Sequence, residues 1–149
     1  SYCPIKSVSL PTLEEAGGFY NCQIQHLNLP NLRKVGEYGF AFNNLTHLRL
    51  LKLKIVGCLA FLENQFQKLN LPHLERIENL GFAFCRELQE FEAQQLKIVE
   101  DNSFSFCPKL KSICCYLPPE NFVCDDADCG GMKDCFVCNN QIEICLKRG

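Results

Sequence analysis

The chain has no tryptophan and a single methionine. No stretch approaches the roughly 18 consecutive apolar residues that a membrane-spanning helix requires. No basic-then-apolar leader opens it, and Ser1 in first place implies a chain processed, excised or incomplete at its start. An excess of one charge is missing too: 15 Lys and Arg stand against 17 Asp and Glu, a formal net charge of -2. Such a chain has no overall field to hold phosphate backbones, so nucleic acid is not an expected partner. Nucleophile elbow, phosphate-cradling glycine loop, HExxH helix and paired buried carboxylates are all absent, and so is any cofactor motif. What the chain has in plenty is cysteine and phenylalanine, 12 of each in 149 residues, within a composition that is 47% hydrophobic. That apolar content excludes a disordered chain, and the length suffices for a real core.

The phenylalanines are periodic. The segments LRKVGEYGFAFN, LKIVGCLAFLEN, LERIENLGFAFC and LKIVEDNSFSFC, starting at Leu32, Leu53, Leu74 and Leu96, align without gaps. In each, an aliphatic residue follows by three positions (Val35, Val56, Ile77, Val99) and a phenylalanine by five more (Phe40, Phe61, Phe82, Phe104). Asn or Cys lies three further on: Asn43, Asn64, Cys85 and Cys107. A shortened earlier copy reads Leu13, Ala16, Phe19 and Cys22, and the Phe-to-Phe spacings are 21, 21, 21 and 22. Between copies runs an apolar-x-x-apolar-x-apolar pattern: IQHLNL, LTHLRL, FQKLNL, LQEFEA and LKSICC. Its alternating end has the period of a strand. Pro11, Pro30, Pro72 and Pro118 then mark corners, because proline cannot donate to a ladder.

A coil of about 21 residues cannot bury its own apolar side chains, but stacked coils can cover one another. Stacking predicts an aromatic spine of Phe19, Phe40, Phe61, Phe82 and Phe104. It also predicts a second column of Phe42, Phe84 and Phe106, broken by Glu63. The column Cys22, Asn43, Asn64, Cys85 and Cys107 is expected to satisfy backbone groups left over at the turn, its cysteines being buried free thiols.

These residues carry a resemblance. The run "LxxI…F…(C/N)…LxxLxLP" is similar to the leucine-rich repeats of the BspA type, also called the Treponema pallidum subclass, over about Leu10 to Leu117 in five copies. The resemblance implies a right-handed solenoid of the α/β class, mostly strand and loop, with a parallel sheet on its concave face. It also implies a surface or secreted protein that adheres to proteins or cells. The expected organisation is a solenoid over residues 1-117 and a small cysteine-rich cap over 118-149.

In the strand pattern the variable residues point away from the core, which predicts three solvent-facing columns on the concave sheet. The first holds Gln25, Thr46, Gln67, Gln89 and Lys111. The second holds His26, His47, Lys68, Glu90 and Ser112, and the third Asn28, Arg49, Asn70, Glu92 and Cys114. These side chains are the candidate partner-binding surface. The alternative is a merely solvated sheet face, and the lack of aromatic anchors favours a polar, wet contact or binding elsewhere. His26 and His47 share a column without a third ligand, so no metal is expected there. His73 reads as an exposed corner residue equivalent to Asn31 and Thr12.

From Cys114 the composition changes, with Cys114, Cys115, Cys124, Cys129, Cys135, Cys138 and Cys145 in the last 36 residues. So small a segment needs cross-links or a metal to hold shape. Disulfides among these seven are the first reading and imply an oxidising compartment. Their odd number admits Cys58, Cys3 or a free thiol. Zinc on Cys124, Cys129, Cys135 and Cys138, or reduced thiols in the cytoplasm, are the alternatives. Asn44-Leu45-Thr46 is a glycosylation sequon. Together the sequence predicts a non-enzymatic extracellular or cell-surface module binding a protein or glycan. The other reading is a structural subunit that self-assembles into a coat, wall or filament.

Overall fold

The computed structural model describes residues 5–100 and 102–116 and, for its backbone, the strand Glu143–Leu146. The chain winds into a parallel β-solenoid of about five coils. One side carries β1 (Ser7–Ser9), β3 (His26–Asn28), β6 (Lys68–Asn70), β8 (Glu90–Glu92), β10 (Ser112–Cys115) and β11 (Glu143–Leu146). The other carries two-residue strands: β2 (Glu15–Ala16), β4 (Lys34–Val35), β5 (Ile55–Val56), β7 (Arg76–Ile77) and β9 (Ile98–Val99). All ladders are parallel, and strands two coil sides apart in sequence become neighbours in space.

Two features differ from the sequence expectation. The return segment after each proline corner, where the pattern predicts no strand, forms an unbroken five-stranded sheet in the order β2-β4-β5-β7-β9. The sheet expected to be continuous is interrupted instead: β1 pairs with β3, and β6, β8, β10 and β11 form a separate four-stranded sheet. The gap falls on residues 46–50, where the Thr46 hydroxyl lies 2.9 Å from the His47 ring. Leu45 and Leu50 nevertheless stay buried, so the coil keeps its path. The cap region lies outside the described residues except for β11, which continues the ladder in parallel beside β10.

The aromatic spine is present. Phe19 stacks on Phe40 at 5.2 Å, Phe40 on Phe61 at 5.8 Å, Phe61 on Phe82 at 5.3 Å and Phe82 on Phe104 at 5.8 Å, all within 15° of parallel. Phe66 and Phe91 meet this column edge-on from the strand side. The rings from Phe40 to Phe104 are fully buried, where each contributes a large apolar area and favourable ring geometry.

A third ladder, with no strand in it, runs up the turn side. Phe19, Asn21, Tyr38, Phe40, Phe42, Leu59, Phe61 and Glu63 each donate a backbone N–H to a carbonyl of the next coil, at 2.8–3.1 Å. The alternate residues pay for this geometry with left-handed backbone: Tyr38, Leu59, Leu80 and Asn102 in one row, and Asn21, Phe42, Glu63, Phe84 and Phe106 in the other, all at φ 51–59°. Bulky residues rarely adopt such angles unless the surroundings fix them. Here the inter-coil bonds do so. Coils also approach closely at Gly57, where a Cβ would stand 2.7 Å from the Val35 carbonyl oxygen.

The Asn and Cys positions carry the side-chain hydrogen bonds of the turn. Asn43 Oδ1 accepts the backbone N–H groups of Cys22 and Ile24 in the coil before it, and Asn64 Oδ1 accepts that of Leu45. Their amide nitrogens donate to carbonyls of their own coil and of the one before, from Phe19 and Phe40 among others. A thiol offers a weak donor in place of this acceptor: Cys85 Sγ points at the Phe61 carbonyl and Cys107 Sγ at that of Phe82. The turn after Cys85, which the Cys107 coil follows, is one residue longer. Its Leu88 N–H is accepted within the turn by the Cys85 carbonyl at 3.1 Å, and Leu110 repeats the arrangement with Cys107. The inserted residue produces the spacing of 22.

Phe61→Ala is expected to lower unfolding free energy by about 3–5 kcal/mol, measured by chemical denaturation. Asn64→Cys should cost about 1–3 kcal/mol by orphaning the Leu45 N–H. Inserting one residue between Asn44 and Leu45 should restore part of that loss, whereas the same insertion in the native chain should only destabilise.

Candidate partner-binding surface

Residues on β6, β8 and β10 stand in the columns the sequence predicts. Lys68, Glu90 and Ser112 are register partners, as are Asn70, Glu92 and Cys114. Gln67, Gln89 and Lys111 precede them and are linked by backbone bonds at 2.8 and 2.9 Å. Alternation does the positioning: Leu69, Phe91 and Ile113 point into the core between these rows. Gln25, His26, Asn28, Thr46, His47, Arg49, Gln67, Lys68, Asn70, Glu90 and Lys111 are exposed, and Gln89 and Glu92 half-buried. Thr46, His47 and Arg49 sit in the gap between the two sheets rather than on a strand.

The face is largely self-paired. Lys68 bridges Glu90 at 3.0 Å, Asn28 donates to the Ser9 hydroxyl at 2.9 Å, and Gln94 donates to Glu92. Arg49 and Lys111, both exposed and without an ion pair among the described residues, are the cations of this face open to a partner. Exposed pairs of this kind contribute little stability, so their exchange for partner contacts costs little.

The opposite sheet carries a charged ladder. Glu75 lies 3.2 Å from Lys54 and 3.3 Å from Lys97, and hydrogen bonds from both lysines hold its carboxyl below the usual carboxylate range. Arg76 pairs with Glu100 and more loosely with Glu78. The corner residue His73 is exposed as expected, yet its Nδ1 lies 2.6 Å from the Leu51 carbonyl. Asn31 likewise ties its coil to the Pro11 carbonyl of the one before, at 2.7 Å.

Among the cysteines, Cys22, Cys58, Cys85 and Cys107 carry free thiols, Cys85 and Cys107 fully buried and Cys22 partly exposed. Of the cap candidates, Cys114 is half-buried and Cys115 buried on β10. Cys145 falls on β11, in register with Cys114. Cys124, Cys129, Cys135 and Cys138, the residues of the disulfide and zinc readings, lie outside the described residues. Asn44 is exposed at the turn.

The repeat geometry defines a leucine-rich repeat solenoid, and comparison narrows it. A family profile described as the BspA type leucine rich repeat region matches residues 12–121 in six copies. The chain belongs to this family, and the match gives no support to the designation Treponema pallidum subclass. No curated protein matches the sequence. The crystal structure of a leucine rich cell surface protein from Faecalibacterium prausnitzii A2-165 is similar at 22% identity and a TM-score of 0.45, over 74% of this chain. The chain spans 38% of the length of that protein. No helix among the described residues is long and apolar enough to cross a membrane.

Burial pushes the Cys85 thiol far up, with the Cys107 thiol adding to the effect, and burial lifts Cys107 to about 12. Both therefore stay protonated in the folded state above pH 9.0, where unfolded thiols ionise. Stability should be intact below pH 9 and fall above it, by about 1.4 kcal/mol per pH unit for each thiol. Denaturation midpoints from pH 8 to 11 check this, and the Cys85→Ala/Cys107→Ala double variant should show a shallower decline.

Proposed function

We propose that the chain is a non-enzymatic recognition module that binds a protein partner through the sheet of β3, β6, β8 and β10 and the Thr46–Arg49 bridge between its two parts. One observation carries the reading: rows of exposed polar side chains stand at fixed intervals on strands whose alternate residues are locked in a closed core. Such a face is preorganised, so little side-chain support has to be ordered on binding. Its charges run from basic at Arg49 and Lys68 to acidic at Glu90 and Glu92, which selects a partner of complementary polarity.

Display outside the cell is part of the proposal. The cysteine-dense end and an exposed sequon at Asn44 suit an oxidising, secretory setting. A glycan ligand at the same face and a self-assembling structural subunit are the competing readings.

Probing arrays of proteins and glycans with the purified chain tests all three. A protein ligand should lose at least about tenfold in affinity on Arg49→Ala/Lys68→Ala/Glu90→Ala, with an unchanged melting temperature. Affinity unmoved by the triple variant, selective glycan capture, or concentration-dependent polymers of the native chain would each overturn the proposal.

A further inference from the structure

The turn leading into the first sheet holds a groove of about 600 Å³, whose lining includes Phe42, Asn44, Glu63, Gln65, Phe84 and Arg86. It exists because one coil breaks a column. Successive coils place Phe42, Glu63, Phe84 and Phe106 at equivalent left-handed positions, each of the first three donating its backbone N–H to the next coil. Where the flanking coils read Ala-Phe (Ala41-Phe42 and Ala83-Phe84), the middle one reads Leu62-Glu63. Leu62 is buried with Ala41 and Ala83, and Phe42 and Phe84 pack on this cluster. The floor is therefore continuous while the ring above it is missing.

The walls are fixed. Phe84 is stacked at 4.4 Å on Phe106, leaving its other face toward the coil of Glu63. Phe42 is backed from the preceding coil by Tyr20 at 5.3 Å. In the same three coils the spine rings step by 5.8 and 5.3 Å, which puts Phe42 and Phe84 roughly 11 Å apart. A cation midway then lies about 5.5 Å from each ring, inside the ≈ 6 Å over which the open face of Phe84 attracts positive charge. Between the walls stands Glu63, exposed and without an ion pair or side-chain hydrogen bond among the described residues. The second carboxylate of the groove, Glu87, is held by Lys109 at 2.6 Å, which leaves Glu63 as the unneutralised anion. Arg86 at the rim is the native competitor for it.

We infer that this slot binds the ammonium end of a lysine side chain on a protein partner. Phe42 and Phe84 form its walls and Glu63 supplies the counter-charge. The site is separate from the sheet face, so it stands or falls independently of the recognition surface proposed above. An aromatic column interrupted by a single carboxylate suits a cation better than a sugar ring, which stacks on one face and leaves the gap half empty. A glycan on Asn44 would cover the groove, so the slot is open on chains unmodified there.

Titration of isotope-labelled, unglycosylated full chain with acetyl-Gly-Lys-Gly-amide, followed through the ring signals of Phe42 and Phe84, tests it. Saturable millimolar binding is expected, absent for the Nε-acetylated peptide. Glu63→Gln, an exposed and fold-neutral change, should weaken it about tenfold. Phe84→Leu should weaken it as well, and Arg86→Ala should leave it unchanged or tighten it. Absence of saturable ring shifts, equal response to the acetylated peptide, full binding by Glu63→Gln, or loss of binding in Arg86→Ala would overturn the inference.

Discussion

The backbone hydrogen bond from one coil to the next is the interaction on which the rest of this molecule depends. It runs up the interrupted polar sheet, the five-stranded return sheet and the strandless ladder of the turn side. Because all three share one axial step, like residues are held above like at the spacing aromatic rings prefer, and the spine steps by 5.2–5.8 Å without adjustment. The left-handed residues follow from the same constraint. The strained angles of Asn21, Tyr38, Phe42, Leu59, Glu63 and Phe84 persist because releasing one would break a bond to the neighbouring coil.

Much of this was legible in the sequence, and the reason is periodicity. A repeat of constant length fixes which residues share a column, so the Phe spine, the core leucines and the outward columns on β6, β8 and β10 could be assigned by counting. What could not be counted was missed. Pairs such as Lys34–Val35 and Arg76–Ile77 are too short to alternate, so the return sheet left no strand signal. The left-handed rows hold Tyr, Phe and Leu, none of which announces positive φ as glycine does. The interruption at residues 46–50 arises in a segment whose pattern is as regular as its neighbours. Glu63 was visible as a departure from its column, but only the stacking of Phe84 on Phe106 shows that the departure opens a space between walls.

The exposed faces follow from the same division of labour. Solenoid coils spend their apolar residues inside, so a partner meets whatever the variable positions provide. On the strand side these are amides and charges already paired along the stack, as in Lys68 with Glu90. On the turn side they are rings, with Tyr20, Tyr38 and Phe106 among the most exposed large apolar residues. The family places the chain among BspA-type repeats, and its local variations give it two chemically distinct surfaces.

Turn length bears on how such a protein can grow. Asn43 serves the coil before it, whereas the turn after Cys85 is self-sufficient. The short turn after Asn64 nevertheless runs directly into the Cys85 coil, so both turn lengths are compatible with a cysteine above them. Phe82 and Phe104 still stack at 5.8 Å across the longer turn. The corner is therefore an elastic joint: a gain or loss of one residue there is absorbed outside the spine, and an array can vary in coil length while its interior stays in register.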